Sequence, residues 1–222
     1  TWHRIPVPAF AVFPLRTKKA HLPRRMSFPV IVKSAVNHGS AGIAQASVVH
    51  DDAELAERVE FLHRTLQTDV VVEQFLAGRE FTVSVLGNER LETFPIWELW
   101  FDKLPEGNEP IATSRVKWDE RYQKRVGLRT GRARDLPAEL EERIHAIARR
   151  TYRALHLSGY ARIDLRLDEQ GAVHVIEANV NNDLSPGEDF PESALSVGVD
   201  YPQLLQRIVN LGLSYKPAWK VD

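Results

Sequence analysis

Residues 160–179 constrain this chain more than any other stretch. In 160-YARIDLRL-167, Arg162, Asp164 and Arg166 alternate with Ala161, Ile163, Leu165 and Leu167. That period-two pattern belongs to a strand with one charged face and one apolar face. In 172-AVHVIEAN-179, Glu177 and Asn179 share a face with Val175. The link 168-DEQG-171 is built of turn formers, so the two runs predict a β-hairpin.

Residues opposite each other in a hairpin point to one side of the sheet. With an even-length loop, Arg162, Asp164, Glu177 and Asn179 converge on one face; an odd loop sends Glu177 and Asn179 to the other. Two carboxylates and an amide oxygen form a hard oxygen site that suits Mg²⁺, an ion often shared with phosphates. A solvent-exposed sheet face with a salt bridge has the same pattern. The residues alone leave both readings open.

Composition narrows the chemistry. There is no Cys, which excludes disulfides, thiolate nucleophiles and thiolate metal sites. The net charge is −1, so the chain as a whole has no electrostatic reason to seek nucleic acid or anionic membrane. No apolar run approaches the ~20 residues that span a bilayer, and 1-TWHRIPVPAF-10 lacks a signal-peptide pattern. A cytoplasmic protein is expected. With 222 residues the chain can bury one sizeable core or two small ones.

Residues 1–27 carry Pro6, Pro8, Pro14 and Pro23 and read as an extended linker. The apolar run 28-FPVIVK-33 reads as a buried strand, followed by the small-residue loop 34-SAVNHGSAGI-43. Asp51 with Glu54 begins a helix as in a capping box, and Leu55, Val59, Leu62 and Leu66 form its apolar stripe. Strands follow at 70-VVVEQFL-76 and 80-EFTVSVLG-87, and a further strand, interrupted by Pro95, is expected over 91-LETFPIWEL-99. Asp135 and Pro137 start a long helix that stops near Gly159. Residues 185–191 read as a loop, and a last helix runs from about Pro202 to Leu211 with Gly212 past its end. Strands alternating with helices make the class α/β or α+β. Two lobes are expected, 28–88 and 89–222.

Three further signals bear on ligands. Lys33 ends an apolar strand before a glycine-containing loop, where it can hold phosphate as a point charge; an ordinary strand-end lysine looks the same. In 73-EQFLAGREF-81, the hinge offers backbone groups to an adenine edge, and Glu80 could accept from ribose hydroxyls; a plain hairpin also fits. The stretch with Arg115, Lys117, Arg121, Lys124, Arg125, Arg129, Arg132 and Arg134 has too little aromatic interleaving for a nucleic-acid surface. It reads as a solvated loop, with Lys117 as an alternative phosphate ligand. Alternation places His174 on the face opposite the metal candidates, as a packing residue.

Taken in this order, 28-FPVIVK-33, 39-GSAGI-43, 70-VVVEQFLAGREFTVSVLG-87, 113-TSRVKW-118, 159-GYARIDLRLDEQG-171 and 175-VIEANVNNDLSPG-187 resemble the ATP-grasp superfamily, D-alanine–D-alanine ligase-like branch. The resemblance runs from about residue 4 to residue 212. It implies two lobes, each a mostly antiparallel sheet with helices, and ATP held between them. It implies that Lys33 contacts the α- and β-phosphates, that Gly39, Ser40 and Gly42 close over ATP, and that Glu73, Gln74, Phe75 and Leu76 form the adenine hinge. Glu80 resembles the ribose-binding glutamate and Lys117 the phosphate-contacting lysine of the larger lobe. Asp164, Glu177 and Asn179 resemble the ligands of Mg²⁺, with Mn²⁺ as the alternative ion. Arg162 resembles the arginine that stabilises the acyl phosphate, and Arg162 and Lys117 are its implied catalytic pair.

The activity so implied is a ligase that activates a carboxylate as an acyl phosphate and joins it to an amine, with ATP and two small-molecule substrates as partners and no nucleic acid or membrane. The alternatives are a non-catalytic or regulatory nucleotide-binding module and a ligase with a non-amine acceptor. Members of the branch usually carry a preceding N-terminal domain that helps bind the first substrate, and a homo-oligomer is compatible with the resemblance. Ser34 stands where Pro is common, Trp118 where Tyr is common and Gly39 where Ser is common, so D-alanyl-D-alanine is not the expected product.

Overall fold

The computed structural model describes residues 3–216. They form two compact units, each assembled from separated stretches of chain. One comprises Pro8–Ala77 and Trp100–Arg129; the other takes the residues up to Val7, Gly78–Leu99 and the chain from Thr130 onward. The sequence division at 88/89 is a contiguous cut, whereas the chain passes between the units several times.

The first unit holds a four-stranded sheet in the order β1 (Phe10–Phe13), β4 (Val70–Gln74), β2 (Val30–Ser34), β3 (Val48–Val49). Helix α1 (Asp52–Leu66) covers one face. Its N-cap Asp51 accepts from the N–H groups of Ala53 and Glu54 at 2.8 and 2.9 Å, and its Leu55, Val59 and Leu62 pack on Val30, Val32, Val70 and Val72. Fully burying each such side chain contributes about 1.5–3 kcal/mol. Glu54 reaches back to the N–H of His50 rather than to that of Asp51. The Pro-rich lead-in supplies strand β1 and the core residues Phe13, Ala20 and Met26. The basic stretch of this unit folds as α2 (Ser114–Trp118) and α3 (Glu120–Val126).

The second unit is built on the sheet β10 (Val173–Asn179), β9 (Tyr160–Leu167), β5 (Glu80–Leu86), β7 (Trp97–Phe101), β8 (Leu128–Arg132), with β6 (Glu92–Thr93) paired to the end of β5. The expected strand over 91–99 is thus broken in two around Pro95, which cannot donate to a ladder. Helix α4 (Ala138–Ala154) lies on the apolar face, where Ile144, Ile147, Ala148 and Tyr152 meet Phe81, Val83, Val85, Ile163 and Leu165. The Tyr152 hydroxyl donates to the Gly87 carbonyl at 2.7 Å, and burial pushes its pKa up to about 12.

Three helical readings are corrected. The basic stretch expected to be a solvated loop contributes to α2 and α3. The end of the loop expected over 185–191 is instead the first turn of α5 (Asp189–Leu195). Pro191 sits in its first turn, where no intrahelical N–H is needed. Phe190 of that helix packs edge-on against Phe94 and Tyr160 at 5.8 Å each. The last helix, α6 (Tyr201–Leu213), continues through Gly212 instead of stopping before it. Among the described residues no helix is long and apolar enough to cross a membrane.

Gly78, two residues before β5, is fixed by close approach. A Cβ there would stand 2.5 Å from the Leu167 carbonyl oxygen, which accepts the Gly78 N–H at 3.1 Å. Gly78→Ala is therefore expected to destabilise by about 1–3 kcal/mol. Thermal denaturation should show a midpoint lowered by roughly 2–10 °C; an unchanged midpoint would contradict this contact.

Candidate nucleotide and metal site

The charged face of the β10-β9-β5 sheet is assembled by register. On β9 and β5 the opposite pairs are Arg166 with Glu80, Asp164 with Thr82 and Arg162 with Ser84. On β9 and β10 they are Arg166 with His174, Asp164 with Glu177 and Arg162 with Asn179. The connection between β9 and β10 is odd, residues 168–172, which on parity alone would turn Glu177 away from Asp164. A bulge between Val175 and Glu177 leaves Ile176 as the extra residue and restores the phase. Glu177 and Asn179 thus reach the face of Asp164 by a route that the alternation pattern did not contain.

The same bulge corrects the reading of His174. It shares the face of Arg166, and its Nε2 lies 2.9 Å from Asp168 Oδ2. It is a polar residue tied to the turn, not an apolar packing residue. Asp168 also accepts from the N–H groups of Gln170 and Ala172, which closes the turn.

Asp164 is buried and is the hub of the face. Arg162 grips it with two bonds, Nε to Oδ1 at 2.8 Å and Nη2 to Oδ2 at 2.9 Å, and the Asn179 amide donates to Oδ2 at 2.9 Å. The Asp164 charge, ahead of the opposing effect of burial, raises the Arg162 pKa above its ordinary value. One strand further, Arg166 lies 3.4 Å from Glu80 and donates to the Gly78 carbonyl at 3.1 Å. Burial, then the charges of Asp164 and Glu177, raise the Glu80 pKa, while Arg166 and Arg162 oppose them. Three acids and two arginines therefore act on one another across this face.

In the other unit, Lys33 and Glu73 project from neighbouring strands on the face away from α1. Lys33 Nζ lies 2.7 Å from Glu73 Oε2. Gln74 spends its side chain on its own sheet, donating to the Pro29 carbonyl at 2.9 Å and accepting from the Ser27 N–H at 3.4 Å. Phe75 and Leu76 are buried, and Phe75 packs with Val48 and Ile111. Gly39, Ser40 and Gly42 all have positive φ, 68°, 60° and 73°, so the loop turns in conformations that favour glycine. Its carbonyls are held by α2. Trp118 Nε1 donates to Gly39 O at 3.3 Å, the Ser114 N–H to Ile43 O at 3.0 Å, and the Ser114 hydroxyl to Ser40 O. Lys117, on the same helix, is exposed, with its ammonium 6.0 Å from the Trp118 ring.

The model of the family described as "D-ala D-ala ligase C-terminus" matches residues 3–210. This chain belongs to that family. Its relatives include an uncharacterized protein, y4sG, of Sinorhizobium fredii, 29% identical over 211 residues that cover 93% of this chain and 58% of that protein. A D-alanine–D-alanine ligase of Desulforudis audaxviator is 30% identical over 186 residues, 84% of this chain and 56% of the ligase. Among solved structures, the Bacillus anthracis D-alanine–D-alanine ligase complexed with ATP superposes with a TM-score of 0.73 at 23% identity, covering 96% of this chain and 62% of that one. The VanG D-Ala:D-Ser ligase from Enterococcus faecalis gives 0.72 at 22% identity, with 95% and 58% covered. The fold is that of the ATP-grasp ligases. The chain spans a little over half the length of the curated relatives it matches.

For this ATP-grasp chain the donor set can be tested against a divalent cation. Among the described residues no group of three His, Cys, Asp or Glu side chains is placed to hold a metal ion. The set on the charged face is instead two carboxylates directly opposed across two strands, plus the Asn179 amide beside them. These are hard oxygen donors of the kind Mg²⁺ prefers. The residues fit the ion.

Proposed function

We propose that this chain is the nucleotide-binding and catalytic part of an ATP-dependent carboxylate–amine ligase. The observation that carries the reading is the bulge-corrected register that sets Glu177 opposite Asp164 and Asn179 opposite Arg162. Pro8–Ala77 with Trp100–Arg129 serve as its small lobe, and Gly78–Leu99 with the chain from Thr130 onward as its large lobe, in place of the contiguous division 28–88 and 89–222. Lys33 and Lys117 neutralise phosphate charge, Glu73 through Leu76 take the adenine edge, and Glu80 accepts from the ribose hydroxyls. Gly39, Ser40 and Gly42 cover the phosphates. Asp164, Glu177 and Asn179 hold Mg²⁺, which when bound neutralises and orients the phosphate oxygens.

Arg162 faces the carboxylate whose oxygen attacks the γ-phosphorus as ADP departs. The same guanidinium stabilises the acyl phosphate while an amine displaces inorganic phosphate and loses a proton. Phosphoryl transfer of this kind asks the protein for positioning and charge, not for a covalent nucleophile, which suits a chain without Cys. Two small molecules, a carboxylate and an amine, are the proposed substrates, and the cytoplasm, where ATP is made available, is the proposed location.

The test is ADP release against a library of carboxylates and amines. Release that requires one carboxylate and one amine supports the ligase. Tight Mg·ATP binding with no substrate-dependent ADP supports a passive nucleotide-binding module instead. Lys33→Ala should weaken ATP binding by about ten- to a hundredfold, the equivalent of roughly 1.5–3 kcal/mol for a charge-assisted contact. Calorimetry giving equal affinities for the two proteins would remove Lys33 from the phosphate site.

A further inference from the structure

The charged face of β5 carries three polar side chains, two of them partnered. Glu80 meets Arg166. Ser84 Oγ accepts from Ser193 Oγ at 3.1 Å. Between them, Thr82 is only 8% exposed, and its Oγ1 has no hydrogen-bond partner among the described residues. Its neighbours across the sheet are Asp164 on β9 and Trp97 on β7, so it stands on the same face as the proposed metal ligands.

The hydroxyl is not spent on Asp164. Both carboxylate oxygens of that residue already accept from Arg162, and one of them also from Asn179. Nor does packing ask for it: valine has nearly the same shape and fits a strand equally well. Native proteins rarely leave a buried hydroxyl unsatisfied, because desolvating it without a partner costs free energy. A group of this kind beside a cluster of carboxylates and arginines is suited to a ligand that arrives later.

We propose that Thr82 is a further residue of the metal–nucleotide site, its hydroxyl hydrogen-bonding an oxygen of the bound Mg·nucleotide, either on a phosphate or on a water held by the ion. This rests on the nucleotide reading above. A threonine hydroxyl both donates and accepts. It can therefore serve a phosphate oxygen, which only accepts, or a metal-held water, which donates. A carboxylate at this position would add a like charge directly beside Asp164, on a face that already carries Glu80 and Glu177.

Thr82→Val and Thr82→Ser separate a ligand role from a structural one, using the whole chain, Mg²⁺ and a non-hydrolysable ATP analogue. Without nucleotide, Thr82→Val should melt at the same temperature as the wild type or slightly higher, since it removes an unsatisfied polar group. Calorimetry should show its Mg·nucleotide Kd raised about three- to tenfold. Thr82→Ser, which keeps the hydroxyl, should bind within about twofold of the wild type. Equal affinity for wild type and Thr82→Val overturns the proposal. So does a Thr82→Val protein that melts well below the wild type and binds as tightly, because the hydroxyl then serves the fold through a bridging water. A wild type that binds no Mg·nucleotide at all overturns the nucleotide reading itself, and this proposal with it.

Discussion

Glu177→Ala is expected to abolish substrate-dependent ADP formation while leaving the protein folded. Glu177 is exposed and lies opposite Asp164 at the bulged end of the hairpin, so its loss should change stability by no more than about 0.5 kcal/mol. A metal ion's share of transition-state charge stabilisation is several kcal/mol. At about 1.4 kcal/mol per factor of ten, the rate should fall on the order of a thousandfold or more. Circular dichroism and thermal melting of the variant should match the wild type, and its binding of Mn²⁺, followed by electron paramagnetic resonance, should weaken. Turnover within a few fold of the wild type would dismiss Glu177 as a ligand.

Arg162→Ala is expected to lower kcat by about 10²–10³, the cost of removing a donor aimed at developing charge. Arg162→Lys should cost at least about tenfold, because an ammonium cannot reproduce the planar fork that now grips Asp164 through two bonds. In both variants the Kd for Mg·ATP should stay within roughly threefold of the wild type, since the interaction strengthens mainly in the transition state. A variant that loses ATP affinity in proportion to rate would make Arg162 a ground-state nucleotide contact. Full turnover in Arg162→Lys would remove it from the catalytic machinery. The alanine variant should also melt earlier, because it leaves the buried Asp164 with Asn179 as its remaining side-chain donor.

The parts of the fold legible in the sequence are those where local pattern and tertiary packing agree. Leu55, Val59 and Leu62 had helical spacing, and they lie buried on the sheet of their unit. The alternation of β9 matched its real faces, apolar toward α4 and charged away from it. Where a single residue changes the geometry, pattern was blind. The extra residue Ile176 has no signature in hydrophobicity, so the convergence of Glu177 with Asp164 turns on a register that the sequence leaves open, and alternation alone puts His174 on the wrong face. Helix α5 was hidden because Asp189, Pro191 and the preceding Gly187 read as turn formers, although Pro is tolerated in a first helical turn. Thr82 carries no signal in the sequence, and Arg166 reads only as one charge in an alternating strand, for another reason: their importance lies in partners on other strands, 80 or more residues away in sequence.

The bulge at Ile176 has a consequence for how this hairpin can vary in length. The bulge keeps Ile176 outside the ladder, so that Val175 pairs with Leu165 and Glu177 with Asp164. A pairing that drew Ile176 into the ladder would set Glu177 opposite Ile163 and turn it to the apolar face. A chain lacking Ile176 would keep Glu177 opposite Asp164 with no bulge at all. The connection 168–172 can change length without moving either residue, so long as Val173 stays opposite Leu167. Variation in length is thus tolerated in the turn and at the bulge, but not between Glu177 and Asn179, where one residue more or less would part their two side chains.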